Sequence, residues 1–131
     1  SVVDDVGCFD EEIKTYGGED TEFAIRIWKK YPDQLVYSQK SLSQHFSNKS
    51  LKKFLRDMKQ YGSNGFSYII KKHPEHKNDI GGQYVSSVSG RVLFNPILRN
   101  IIKLLSKFTY NYYLIRYLVV DAVVLGARKN S

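Results

Sequence analysis

The sequence is poor in cysteine and proline, with one and three residues, and it lacks a long uninterrupted apolar run. A single thiol, Cys8, excludes an internal disulfide and is typical of a reducing compartment. The longest apolar stretch, residues 112–125, is interrupted by Arg116 and Asp121. It is too short and too charged for a transmembrane helix, so we predict a helix that packs on the domain or lies at a membrane interface.

Motifs that bind phosphate are also missing. The chain contains neither a Gly-x-Gly-x-x-Gly fingerprint nor a Walker motif. Its 131 residues, of which 42% are hydrophobic and 14% aromatic, are nevertheless enough for a folded domain with a core. We therefore expect a folded chain in which these residues do not themselves bind a nucleotide.

The charge is unevenly distributed along the chain. Residues 1–48 carry a net charge of −4 and residues 49–131 a net charge of +11, within an overall +7. This asymmetry indicates an acidic edge joined to a basic surface for an anionic partner, and nucleic acid and anionic lipid both fit that charge. No RNP-, KH- or zinc-type signature is present, and the aromatic residues lie mostly on apolar helical faces, so nucleic acid is not the expected partner.

Two adjacent carboxylates follow a glycine pair in residues 17–20, which read GGED. Glycine at 17 and 18 permits positive φ angles and close approach of a ligand to the backbone. Glu19 and Asp20 then fall in the first turn of a predicted helix, where unpaired N–H groups and the helix dipole favour anions. A carboxylate held there can act as a general base, and ordinary helix capping is the alternative explanation.

A wider pattern surrounds these carboxylates. Residues 6–11 read VGCFDE, a short spacer leads to GGED, and a helix with Arg26 and a predicted strand ending near His45 follow. Over residues 1–76 the chain resembles family 2 glycosyltransferases of the GT-A fold, in which a GGFDE turn precedes a GGED loop. Cys8 departs from the second glycine of that turn.

The resemblance implies an α/β GT-A-type (nucleotide-diphospho-sugar transferase) fold, here a mostly helical segment with one or two short strands. It implies a hexosyltransferase that moves a sugar, with inversion, from a nucleotide-sugar donor to a glycan or lipid-linked acceptor in polysaccharide biosynthesis. Asp20 would be the catalytic base, Glu19 would orient the acceptor, and Gly17 and Gly18 would admit the sugar.

The same resemblance implies a divalent cation, Mn²⁺ or Mg²⁺. His45 follows the predicted strand at the position of a metal-binding histidine in such enzymes, and a histidine that only hydrogen-bonds near the pocket is the alternative. The main ligands, in an Asp-rich motif, would lie upstream of this chain. We therefore expect the chain alone to lack activity.

The chain divides into three predicted parts. Residues 1–76 form the acceptor-side part of the catalytic domain with a helical extension, residues 77–95 a linker, and residues 96–131 an amphipathic and apolar helical hairpin. Helices are predicted at about 19–31, 51–61, 66–72, 96–108 and 110–127, with a strand at 35–37 and a break at 62–65.

Three side chains have structural rather than functional interpretations. Trp28 shares helical spacing with apolar neighbours and is predicted to be in the core. His73 and His76, on either side of Pro74, are predicted to be solvated.

Cellular location follows from the basic half of the chain. Its cationic amphipathic helices suit an anionic membrane surface, so we predict a cytoplasmic protein that is peripheral on the inner face of the cell membrane. The competing hypothesis is a basic helical module that binds nucleic acid or membrane without catalysis.

Overall fold

The computed structural model describes residues 1–34, 36, 38, 40 and 48–130. The α-helices are α1 (Val2–Val6), α2 (Glu19–Lys30), α3 (Leu51–Tyr61), α4 (Ser67–Lys72), α5 (Gln83–Ser86), α6 (Val88–Leu93), α7 (Pro96–Phe108) and α8 (Tyr112–Ala127). A π-helical turn occupies Gly62–Phe66, and a 3₁₀ turn occupies Pro74–His76.

The α/β GT-A prediction is wrong for this chain, because every regular element within the described residues is a helix. The described elements are helical because their apolar residues recur at helical spacing. In α3 they recur at Leu51, Phe54, Leu55 and Met58, which places them on one side of a helix, whereas a strand needs alternation. The predicted strand at 35–37 includes Leu35 and Tyr37, which lie outside the described residues.

The predicted break at 62–65 is instead a helical connection. Gly62 has helical backbone angles (φ −56°), and α3, the π-helical turn and α4 follow one another without a loop. A Cβ atom on Gly62 would lie 2.1 Å from the carbonyl oxygen of Val123 in α8. Glycine here permits two helices to approach closely and does not end the first one.

Side-chain caps set the starts of three long helices, α3, α7 and α8. The Ser50 hydroxyl accepts a hydrogen bond from the Lys53 amide at 3.3 Å, which confirms the predicted start of α3. At α7 the Asn95 side chain accepts from the Leu98 amide at 2.9 Å, and Pro96 occupies the first helical position. The Asn111 side chain caps α8 by accepting from the Tyr113 amide at 2.8 Å.

Helix α8 is the central element of the fold. Its Leu118, Val124 and Ala127 are each at most 2% exposed. A Cβ on Gly126 would lie 2.0 Å from the carbonyl oxygen of Lys59, so α8 and α3 cross almost backbone to backbone. This crossing fixes α3, and α3 in turn supports the glycine turn that precedes α2.

Asp121, within the apolar stretch at 112–125, holds two helices together. Asp121 is 3% exposed and accepts two hydrogen bonds from the Arg99 guanidinium, at 2.5 and 3.0 Å. This bidentate pair ties α8 to α7. Within the part of the chain that the structure describes, no helix has the length and apolar character needed to cross a membrane.

The segment 77–95, predicted as a linker, carries α5 and α6. The Arg128 guanidinium donates to the carbonyl oxygens of Val85, Phe94 and Tyr84 at 3.0–3.1 Å, which joins both short helices to the end of α8. Phe94 also lies between the rings of Tyr84 and Tyr117. The segment is therefore integrated with the helices that follow it.

Candidate functional site

A glycine turn leads into α2. Gly17 and Gly18 have φ angles of 79° and 113°, in the left-handed region that favours glycine. A Cβ atom on Gly18 would lie 3.1 Å from both Tyr61 and Ile69, so the turn also lacks space for a side chain. Gly18 is the N-cap of α2. Because it has no side chain, it cannot accept a hydrogen bond from the first backbone amides of the helix.

Two exposed carboxylates follow directly, on Glu19 and Asp20. The Oδ1 atom of Asp20 accepts from the Thr21 amide at 2.7 Å, and no described residue binds its Oδ2 atom. A recess of about 340 Å³ opens here. We call it the Asp20 pocket, and its lining residues are Tyr16, Gly17, Gly18, Glu19, Asp20, Thr21, Met58 and Tyr61.

Tyr61 forms the inner wall of the Asp20 pocket. Burial, together with the neighbouring Asp20 and Glu19 charges, raises the pKa of the Tyr61 phenol, which keeps it neutral. In the π-helical turn that follows α3, a Cβ on Gly65 would lie 2.2 Å from the carbonyl oxygen of Gly17. The glycine turn is thus held directly against the α3 end and the π-helical turn.

Two residues after Asp20, α2 carries a fully buried carboxylate, Glu22, which is 0% exposed. Its oxygens bind Arg26 Nε at 2.8 Å, Lys72 Nζ at 2.8 Å and His73 Nε2 at 3.1 Å. Burial alone would raise the pKa of Glu22, but the bonds from Lys72, Arg26 and His73 outweigh burial and lower it. A buried ion in this position is stable only while these partners are present.

Lys72 links the buried Glu22 carboxylate to the loop before α2. Its Nζ lies 2.6 Å from Asp10, and the Tyr68 hydroxyl donates to the same carboxylate at 2.8 Å. The Lys72 bond, aided by the Glu12 amide and Tyr68, lowers the pKa of Asp10 to about 2. Burial disfavours the charged form of Lys72, but its bonds to Asp10 and Glu22 outweigh burial and raise its pKa.

This linkage predicts acid sensitivity. Because the folded-state pKa of Asp10 is depressed, its ionised form adds stability above the ordinary value of 3.8, and that stability is lost as the pH falls toward about 2. We expect Asp10→Asn to lower the unfolding free energy by ~1 kcal/mol at pH 6 and by much less at pH 2. Chemical denaturation at both pH values measures the difference, and an equal loss at both would contradict it.

Arg26 fastens the same loop from the other side. Its guanidinium donates to the carbonyl oxygens of Val6 and Cys8, both at 2.6 Å. The rings of Phe9 and Phe23 lie 5.2 Å apart, centre to centre. Residues 6–10 are therefore held on α2 and α4, adjacent to the turn that carries the exposed carboxylates.

The structure brings Gly17, Gly18, Glu19 and Asp20 together on one pocket, whereas His45 lies outside the described residues. Within the described ranges, no group of three His, Cys, Asp or Glu side chains could hold a metal ion. Because the predicted ligand His45 is not among the described residues, the divalent cation stays a prediction.

Sequence patterns misplaced two aromatic side chains. His73, predicted to be solvated, is 5% exposed, because its ring bridges Glu22 and the Lys29 ammonium. Trp28, predicted to be in the core, is 49% exposed and lines a recess of about 480 Å³ with His76 and Asp79. Helical spacing identifies neighbours along one helix but not the side on which the rest of the chain packs.

Comparisons with known proteins do not identify the chain. No family model, no curated protein and no solved structure matches it. A functional conclusion therefore depends on the geometry of the Asp20 pocket and on the motif resemblance described above.

Proposed function

We propose that the protein takes part in glycosyl transfer from a nucleotide-sugar donor to a glycan or lipid-linked acceptor, with Asp20 as the general base. The observation that carries this proposal is the position of Asp20. Its exposed carboxylate lies in the first turn of α2, two residues after the left-handed Gly18, and lines a pocket. The order of residues, GGED after an FDE turn, agrees with the glycosyltransferase motif pair.

Each pocket residue has a role in this reaction. The Thr21 amide bonds to Oδ1 and fixes the Asp20 carboxylate, while Oδ2 is left to accept the proton of an acceptor hydroxyl. As that oxygen loses its proton to Asp20 and attacks the anomeric carbon, the bond from this carbon to the nucleoside diphosphate breaks on the opposite face. The diphosphate leaves with the electron pair, and the configuration at the anomeric carbon is inverted. Glu19 is exposed beside it and can accept a hydrogen bond from a second hydroxyl of the acceptor. The recess of about 340 Å³ next to the glycine turn provides the volume for a sugar ring.

The experiment is an assay of the full-length protein with a panel of nucleoside-diphosphate sugars and candidate acceptors. Release of nucleoside diphosphate that depends on the acceptor is the expected result. Release at the same rate without an acceptor would indicate hydrolysis, and no release with any donor would overturn the proposal.

A peripheral position on an anionic, cytoplasmic membrane face is the second part of the proposal, and the surface of α7 supports it. Five apolar side chains of α7 are 45–82% exposed and recur at helical spacing: Ile97, Ile101, Leu104, Leu105 and Phe108. Leu98 and Ile102, on the other side, are the half-buried ones. An apolar face open to solvent, beside the exposed Lys103 and Lys107, is suited to the interface of an anionic bilayer.

This membrane proposal predicts a loss of vesicle binding when the apolar face of α7 is made polar. We expect the double variant Ile101→Ser and Phe108→Ser to bind anionic vesicles at least about tenfold more weakly, because both side chains are exposed and would enter the interface. Co-sedimentation at low and high salt measures this. The control, Val2→Ser with Val3→Ser, removes two exposed apolar residues elsewhere.

High salt should weaken binding of the parent protein, because the cations beside the apolar face are exposed. Recovery that is equal with neutral and anionic vesicles, or an equal loss in the control variant, would contradict docking through α7.

A further inference from the structure

A groove of about 620 Å³ lies between α3, α7 and α8, a volume within the range of small-molecule sites. Helix α3 separates it from the Asp20 pocket, since α3 contributes Met58 and Tyr61 to the pocket and Leu55 and Lys59 to the groove. The two cavities share no lining residue. We call this cavity the α3–α7–α8 groove.

The floor of the groove is apolar. Leu51 and Leu55, one turn apart on α3, face Leu118, Ala122 and Leu125 of α8 across it. The lining of α3 extends from Leu51 to Lys59, which corresponds to a length of about 12 Å at 1.5 Å per residue. A floor of this kind favours a hydrocarbon chain over a polar ligand.

The rim of the groove is cationic on both long sides. On α3 the cations recur at Lys52, Arg56 and Lys59, and on α7 at Lys103 and Lys107. These spacings of three and four residues place the cations of each helix on one face. No described residue forms an ion pair with any of these five cations.

The acid in the groove does not neutralise this rim. Asp121 is the acidic residue among the lining residues, and both of its oxygens are occupied by Arg99. The rim therefore carries five positive charges that converge on a cleft without a counterion from the described residues. An anionic group bound there would relieve this repulsion and gain charge-assisted hydrogen bonds.

We infer that the groove binds one phosphate-bearing lipid, with its acyl chain on the leucine floor and its phosphate between the cations of α3 and α7. Inorganic phosphate would leave the floor empty, and an uncharged lipid would leave the cations unpaired, so an anionic amphiphile alone satisfies both surfaces. The site goes beyond the proposed transfer reaction and does not depend on Asp20. Helix α7 would contact the bilayer through one face and the bound lipid through another.

Lysophosphatidic acid, as a monomer below its micelle concentration, is the probe, because a monomer cannot act as a membrane surface. Isothermal titration with the whole chain should show one molecule bound. Monoacylglycerol and inorganic phosphate should each bind at least about tenfold more weakly. The variant Lys59→Gln with Lys103→Gln should weaken lysophosphatidic acid binding at least about tenfold, since it removes a cation from each side of the groove.

The matched control is Lys14→Gln with Lys71→Gln, which removes the same charge from exposed positions outside the groove and should bind as the parent does. Circular dichroism confirms that each variant is folded. Binding of free phosphate or monoacylglycerol as tight as that of lysophosphatidic acid would overturn the inference. Absence of binding by the folded parent, or equal weakening in both double variants, would overturn it as well.

Discussion

Asp20→Asn is expected to reduce the turnover of the full-length protein by about 10²–10⁴-fold, equivalent to roughly 3–5 kcal/mol of activation free energy. Asparagine has the same shape as aspartate, and its side-chain oxygen can still accept the hydrogen bond from the Thr21 amide. The first turn of α2 should therefore persist. It cannot accept the proton of the acceptor hydroxyl. The loss should therefore appear in kcat, while the donor KM changes little.

The matched control for this experiment is Asp33→Asn, an exposed carboxylate beyond the end of α2. It changes the net charge by the same amount and should leave kcat within a factor of two. Turnover of Asp20→Asn within threefold of the parent would show that another group takes the proton, and the exposed carboxylate would then be a helix-terminus feature.

The largest expected effect on stability comes from Glu22→Ala. Removing this carboxylate leaves Arg26, Lys72 and His73 without the group on which all three converge, in a site where Glu22 is 0% exposed. Breaking a buried ion pair in this way costs about 3–5 kcal/mol, a large share of the 5–15 kcal/mol that stabilises a typical domain. Urea denaturation followed by circular dichroism measures the loss.

Glu11→Ala provides the comparison, since Glu11 is exposed and makes no hydrogen bond or ion pair with a described residue. The free energy of unfolding of Glu11→Ala should stay within about 0.5 kcal/mol of the parent value. A loss below 1 kcal/mol for Glu22→Ala would mean that Arg26, Lys72 and His73 find other partners, and that the buried Glu22 site is not a cooperative unit.

Local signals in the sequence predicted the long helices well. The predicted ranges 51–61 and 96–108 coincide with α3 and α7, whose first turns are set by the neighbouring Ser50, Asn95 and Pro96. The glycine pair likewise marks the start of α2 at Glu19. These features act over one helical turn, so neighbouring residues suffice to predict them.

Features that depend on distant contacts could not be predicted. The four-residue spacing of Glu22 and Arg26 permits a pair on one helix, but the other partners of the buried Glu22, Lys72 and His73, lie about fifty residues away. Gly62 resembled a helix break, although its missing side chain serves the contact with Val123. The prediction of an α/β fold was wrong for a related reason. The order of motif residues carries information about a site but none about the secondary structure around it.

Inverting glycosyl transfer at the Asp20 pocket determines the stereochemistry of the product. Its most direct test is the anomeric configuration of the product, read by nuclear magnetic resonance after the full-length protein acts on a nucleotide sugar of known configuration. A single displacement assisted by Asp20 predicts a product linkage opposite to that of the donor, formed by the parent and lost in Asp20→Asn. A linkage of retained configuration, or equal product from the variant, would contradict the account.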